Sequence, residues 1–167
     1  LRRQRQMCIR DSKKGVWAGA TICSAPSISQ WFVGGSADVT SKGKLLLINS
    51  GLSEAIIDVE IWSESGIRPP KVVTLKANSS LVQNLDSLDP GAKRIALHIS
   101  PRSGRVNAFL VDERGRGLQS LGGDMVNASA DPTKEIVIPA IPQMKRSGKT
   151  LGHTLRVLVP GEDKFWF

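Results

Sequence analysis

KLLLINSGLSEAIIDVEIW, residues 44–62, is the stretch whose reading decides the fold. In its second half Ile57, Val59 and Ile61 alternate with Asp58 and Glu60, the period of a strand with one buried face and one wet face. A helix, with 3.6 residues per turn, would scatter those residues around its circumference. The first half, residues 45–48, is a continuous apolar run too short for a helix, and Asn49, Ser50 and Gly51 stop it with turn chemistry. The stretch therefore reads as a central strand buried on both faces, joined to the next strand as a hairpin.

Working outward, QWFVGGS (residues 30–36) places Trp31, Phe32 and Val33 before a glycine pair, a strand ending in a tight turn. Residues 13–29 read as an edge strand or a linker. Residues 63–70 (SESGIRPP) read as a turn, because Pro69 and Pro70 cannot donate to a ladder and belong outside any central strand. Two strands follow, residues 71–75 and 80–85, around a turn of Ala77, Asn78 and Ser79. In residues 94–100, Ile95, Leu97 and Ile99 face in while Arg94, Ala96 and His98 face out, and residues 106–112 return the chain as a second hairpin. Residues 114–123 read as a Gly-rich basic exit and residues 125–133 as a loop.

Short strands about ten residues apart, separated by turns of Gly, Pro, Asn and Ser, specify an all-β chain, an antiparallel immunoglobulin-like β-sandwich over residues 31–126. Its core is expected from Leu45, Leu47, Ile57, Val59, Ile61, Val73, Leu81, Ile95, Leu97, Ile99, Val106, Ala108 and Leu110. Residues 136–142 (IVIPAIP) read as an apolar strand of the kind that links modules, and residues 154–160 (TLRVLVP) as another. Phe165, Trp166 and Phe167 have no later strand to meet, so residues 127–167 are expected to be a linker and the start of a truncated second β module. A length of 167 residues suits one domain and part of another, and 16 Gly, 9 Pro and no Tyr suit many short strands.

The first twelve residues, LRRQRQMCIRDS, read differently. MCIRDS is one translation of the transposon end used in sequencing adapters (ATG TGT ATA AGA GAC AG), so residues 1–12 are set apart as adapter read-through on a fragment of environmental DNA. The competing reading is a genuine basic tail for an anionic surface. Without this segment the formal charge falls from +8 to +5, and Cys23, parted from Cys8, is expected to lack a disulfide partner within the fragment. No apolar run reaches the ~18 residues that span a bilayer.

Ser147, Gly148, Lys149 and Thr150 end like a phosphate-binding loop, but Gln143 stands where that loop needs a glycine, and a strand rather than a helix follows. His98 and His153 have no cysteine or carboxylate at ligand spacing, so neither a metal site nor a His-based nucleophile is expected. Asp112 and Glu113 beside Arg114 read as local charge pairing. Lys93, Arg94, Arg102, Arg105, Arg114 and Arg116 could form a cationic patch for a polyanion. Only Phe109 stands among them to stack on a base, so no nucleic acid is expected as partner.

QWFVGGS, LLLINSG, AIIDVEIW, LKANSSLVQNLDSL, the segment IALHISPRSGRVNAFLVDE, and then IVIPAIP before TLRVLVPGE follow one another in an order that resembles the actinobacterial domain of unknown function 5719, over about residues 23–162. The resemblance implies a β-sandwich repeat of the cell envelope, in a parent protein anchored in the membrane near its N-terminus. It brings no catalytic residue and no cofactor. The expectation is a non-catalytic, extracytoplasmic structural, adhesive or docking module, with envelope polymers or other envelope proteins as partners. Binding of an anionic envelope polymer or membrane surface through the basic loops is the alternative, and a cryptic enzyme the third.

Overall fold

The computed structural model describes residues 7–11, 17–139, 141, 145–146, 149–150, 154–161 and 165–166. Its strands are β1 (Met7–Asp11), β2 (Ala18–Ile22), β3 (Gln30–Val33), β4 (Lys42–Asn49), β5 (Ala55–Ser63), β6 (Gly66–Leu75) and β7 (Ser79–Asn84). They continue with β8 (Ile95–Ser103), β9 (Asn107–Arg116), β10 (Gln119–Val126), β11 (Lys145–Arg146), β12 (Lys149–Thr150), β13 (Val157–Leu158) and β14 (Phe165–Trp166). Two antiparallel four-stranded sheets make a β-sandwich: sheet one in the order β3-β8-β5-β6, sheet two in the order β10-β9-β4-β7. Separate two-stranded pairs join β1 to β2, β11 to β12 and β13 to β14.

The alternation read from the sequence places the core. Ile57, Val59 and Ile61 of β5, Ile95, Leu97 and Ile99 of β8, Leu45 and Leu47 of β4, and Ala108 and Leu110 of β9 all turn between the sheets and are buried. Val73 and Val106 join them, and Leu81 packs against them half-buried. Phe32, Leu75 and Leu85, with Ala37, Ala55 and Ala92, complete this core and lie outside the expected set. The two-sided reading of residues 45–48 holds: Leu46 and Ile48 point to the other face of sheet two, where Phe109, Val111 and Met125 form a second apolar cluster beneath Trp17.

The pairing differs from the expectation. Residues 44–62 are not a hairpin, since β4 lies in sheet two between β9 and β7 while β5 lies in sheet one. The chain arches from one sheet to the other, so the buried faces of β4 and β5 meet across the core instead of lying side by side. Period-two alternation is satisfied equally by either arrangement. The same holds for β8 and β9, which also sit in different sheets. Within the two four-stranded sheets the hairpins are β5–β6 and β9–β10. The second of these absorbs residues 114–123, expected to be an exit loop.

Pro69 and Pro70 fall inside β6, not in a turn. β6 is the edge of sheet one, and the register shifts between Val59 and Ile61 of the partner strand just where the two prolines pass, so no central ladder loses a donor. Residues 136–139 and 141 are irregular, not a strand. β14 does find a partner, in β13. β1, within the stretch set apart as adapter-encoded, pairs with β2 from Met7↔Ile22 to Asp11↔Ala18. Cys23 is disulfide-bonded, which corrects the expectation that it stands without a partner.

Buried polar side chains close the sandwich. Gln30 on β3 donates from Nε2 to the Val106 carbonyl at 2.9 Å and accepts from the Ala108 N–H at 3.1 Å, joining sheet one to sheet two. Two carboxylates fix loops: Asp38 accepts the N–H groups of Thr40 and Ser41 at 2.8 and 2.6 Å, and Glu64 those of Lys93 and Arg94 at 2.7 and 3.1 Å. Burial alone pushes both carboxyls up, but these backbone donors outweigh it, with help at Glu64 from the Arg94 charge, and hold both below the usual carboxylate range. Both groups therefore bind a proton less readily folded than unfolded. Their contribution to stability is fully present above about pH 4–5 and is lost as pH falls through the lowered values. The urea midpoint is expected to drop between pH 5 and pH 3, and to drop less in the Asp38→Asn, Glu64→Gln double variant. An equal drop in both proteins rules these two carboxylates out as the source.

Candidate functional site

Register brings one row of side chains together on the outer face of sheet one. Trp31 of β3 lies opposite His98 of β8, and His98 opposite Glu60 of β5. The His98 ring stacks on Trp31, with centroids 3.9 Å apart and planes 11° from parallel, and Trp62 tilts against Trp31 at 5.6 Å. His98 Nδ1 is 2.6 Å from Glu60 Oε2, and His98 Nε2 is 3.1 Å from Ser29 Oγ. Ser29 Oγ also lies 3.4 Å from Asp131 Oδ1, on the segment that leaves β10. That segment is held to the edge of the sheet by a bridge in which the Ser129 N–H donates to the Trp31 carbonyl at 2.7 Å.

Beside this row lies an apolar cleft of about 580 Å³. Trp31 and Val33 of β3 form one wall, Pro132 and Ile138 of the exit segment a second, and Leu155 and Val157 a third. Its charged lining residues are Asp131, Glu135 and Arg156. Arg156 Nη1 donates to the Gly35 carbonyl at 3.4 Å, and burial, with the Arg114 charge nearby, pushes the guanidinium down from its ordinary value. A volume of this size with apolar walls and a few polar groups is what a small-molecule or side-chain pocket requires.

Ser29, His98 and Glu60 are spaced like a nucleophile, a base and the acid that orients it. Two local features count against acyl-transfer chemistry. The Ser29 N–H is taken by Ser27 Oγ at 3.2 Å, and the Asp131 carboxylate sits next to Ser29 Oγ, putting negative charge where an oxyanion would need donors. Among the described residues no group of three or more His, Cys, Asp or Glu side chains is placed to hold a metal ion.

The six basic residues of the expected patch are divided. Lys93 and Arg94 precede β8 and Arg114 and Arg116 end β9, at one end of the sandwich; Arg102 and Arg105 lie at the other, about 27 Å away along the nine residues of β8. Arg102 is bound to Asp58 through two N–H groups at 2.6 and 2.8 Å, and Arg114 to Asp112 at 2.7 and 2.9 Å. Asp112 also accepts from Ser36 Oγ, so the local pairing expected there is present, inside β9. Lys149 and Thr150 form β12, while Ser147, Gly148 and His153 lie outside the described residues.

No sequence signal marked Ser29, Glu60 and Asp131 as a group with His98. Glu60 and His98 are 38 residues apart and Ser29 and His98 are 69 apart, so only the register of sheet one unites them.

No curated protein matches the chain. Among solved structures it is similar to the Thermotoga maritima 1070 protein, with a TM-score of 0.56 and 17% identity over 64% of this chain and 96% of that one. It is also similar to the Anabaena sensory rhodopsin transducer, with a TM-score of 0.42 and 14% identity over 52% of this chain and 96% of that one. At such identities the likeness to the Thermotoga protein concerns the fold alone, and the second carries no argument. The profile described as a family of unknown function (DUF5719) matches residues 7–164, and by that match the chain belongs to this family.

Proposed function

We propose that the chain is a non-catalytic, extracytoplasmic docking module of a cell-envelope protein, which holds an apolar group of an envelope partner in the cleft beside Trp31. The cleft carries this reading: it is built on the edge of sheet one, and its walls are aliphatic and aromatic with charge confined to a few residues. The envelope setting rests on the family resemblance. Retention of an anionic polymer is the weaker account, because the basic side chains are split between two ends and two of them are committed to carboxylates.

The test is direct titration with the neutral apolar probe N-phenyl-1-naphthylamine. Saturable binding with one site per chain is expected, weakened at least about tenfold in Ile138→Asp and Leu155→Asp, each of which desolvates a charge in an apolar site. Both positions are about half exposed, so neither change threatens the fold. Non-saturable binding, or binding indifferent to both substitutions, would overturn the cleft as the docking site.

A further inference from the structure

The chain of contacts from Glu60 through His98 and Ser29 to Asp131 has three links, and its proton count decides how many can form at once. Both ends are ionised carboxylates, which in that form accept only. The Glu60 link needs a proton on His98 Nδ1. Of the remaining two, the single Ser29 hydroxyl proton can serve either His98 Nε2 or Asp131, not both. All three links therefore form together only when His98 carries a proton on each nitrogen: Nδ1–H donates to Glu60, Nε2–H to Ser29 Oγ, and Ser29 O–H to Asp131 Oδ1. When His98 is neutral with its proton held by Glu60, Nε2 becomes an acceptor. Ser29 must then either turn to it and abandon Asp131, or keep Asp131 and leave two lone pairs facing each other.

Asp131 lines the cleft, and His98 stacks on the Trp31 ring, which also lines it. A charged imidazole also holds an aromatic face more strongly than a neutral one does. We propose that His98 is a proton-operated latch on the cleft: protonated, it fixes residues 129–133 through Ser29 and keeps the cleft formed; neutral, it releases Asp131 and loosens that wall. The proposal rests on reading the cleft as the docking site and adds its regulation. The charged groups around His98 are Glu60 on β5 and Asp131 on the exit segment. The Asp58–Arg102 pair lies farther along the same face, and Glu135 and Arg156 are in the cleft. Histidine is the side chain that ordinarily changes charge between pH 5 and 8, so the latch is tested at those two values.

Two readouts on the full chain separate the latch from the docking reading. Amide hydrogen exchange of residues 129–133, corrected for intrinsic rates, is expected to be slower at pH 5 than at pH 8 by about fivefold, roughly what one net hydrogen bond is worth. Ser29→Ala and Asp131→Ala are expected to erase the difference and give the faster rate throughout, while nitrogen-15 spectra show His98 still titrating. N-phenyl-1-naphthylamine should bind about fivefold tighter at pH 5 in the wild type and equally at both pH values in the variants. Corrected exchange independent of pH, or a difference that survives both substitutions, would sink the latch. Absence of probe binding at either pH would overturn the docking reading instead, whatever the exchange shows.

Discussion

Replacing Asn49 with Ala is expected to destabilise the protein by about 3 kcal/mol, several times what a typical polar substitution costs. Asn49 ends β4 and is 2% exposed. Its Nδ2 faces three carbonyls, of Ser53 at 2.8 Å, Lys76 at 3.0 Å and Leu75 at 3.1 Å, while its Oδ1 accepts from the Gly51 N–H at 2.9 Å. One amide thus ties the β4–β5 arch to the β6–β7 arch, two of the three places where the chain changes sheets at that end, the third being the β8–β9 arch. Alanine would leave the buried Leu75 carbonyl and the Gly51 N–H without these partners, and the penalty for orphaned groups exceeds the net worth of the bonds themselves. Asn49→Asp should cost at least as much at neutral pH, since it keeps the acceptor for Gly51 but turns a second oxygen toward the carbonyls. Urea unfolding of both variants decides the matter. A loss below about 1 kcal/mol in each would mean that water replaces the amide and that the arches need no staple.

The same residue shows what a reader of the sequence can and cannot see. Asn49 before Ser50 and Gly51 announces a turn, and Leu45 and Ile57 announce buried faces. Neither says whether the turn joins neighbours in one sheet or crosses between two. The deciding contacts run from Asn49 to backbone 26 and 27 residues away, and no local pattern encodes them. Ile95, Leu97 and Ile99 were placed in the core for a sound reason, since their alternation is a property of the strand itself. His98 was placed on the outer face by the same rule, but its meaning was hidden, because Glu60, Trp31 and Ser29 reach it only through the pairing order β3-β8-β5. Pro69 and Pro70 misled for the opposite reason. Their missing donors exclude a central strand, not an edge, and the sequence does not say which strand will be the edge.

Gly43 and Leu85 should reveal themselves as one joint rather than two sites. Gly43 enters β4 with its N–H donating to the Ser36 carbonyl at 2.9 Å, so the strand runs hard against the loop that follows β3. A Cβ there would come within 2.6 Å of that carbonyl oxygen and would also meet Leu85, which is fully buried in the short 3-10 turn Leu85–Ser87 after β7. Gly43→Ala is therefore expected to cost about 3 kcal/mol, at the upper end of overpacking. Leu85→Ala should cost a similar amount for a different reason, because it leaves a cavity where a leucine sealed the end of the core. Leucine can partly turn away from an intruding methyl, but the Ser36 carbonyl, held by its own hydrogen bond to Gly43, cannot. Removing Leu85 should thus relieve only part of the Gly43 penalty, and the double variant should be more stable than the summed losses by about 1 kcal/mol. Chemical denaturation of the four proteins measures that coupling. Strict additivity would assign the whole of the Gly43 penalty to the Ser36 carbonyl. Full recovery would show that the loop after β3 yields and that Leu85 alone closes the joint.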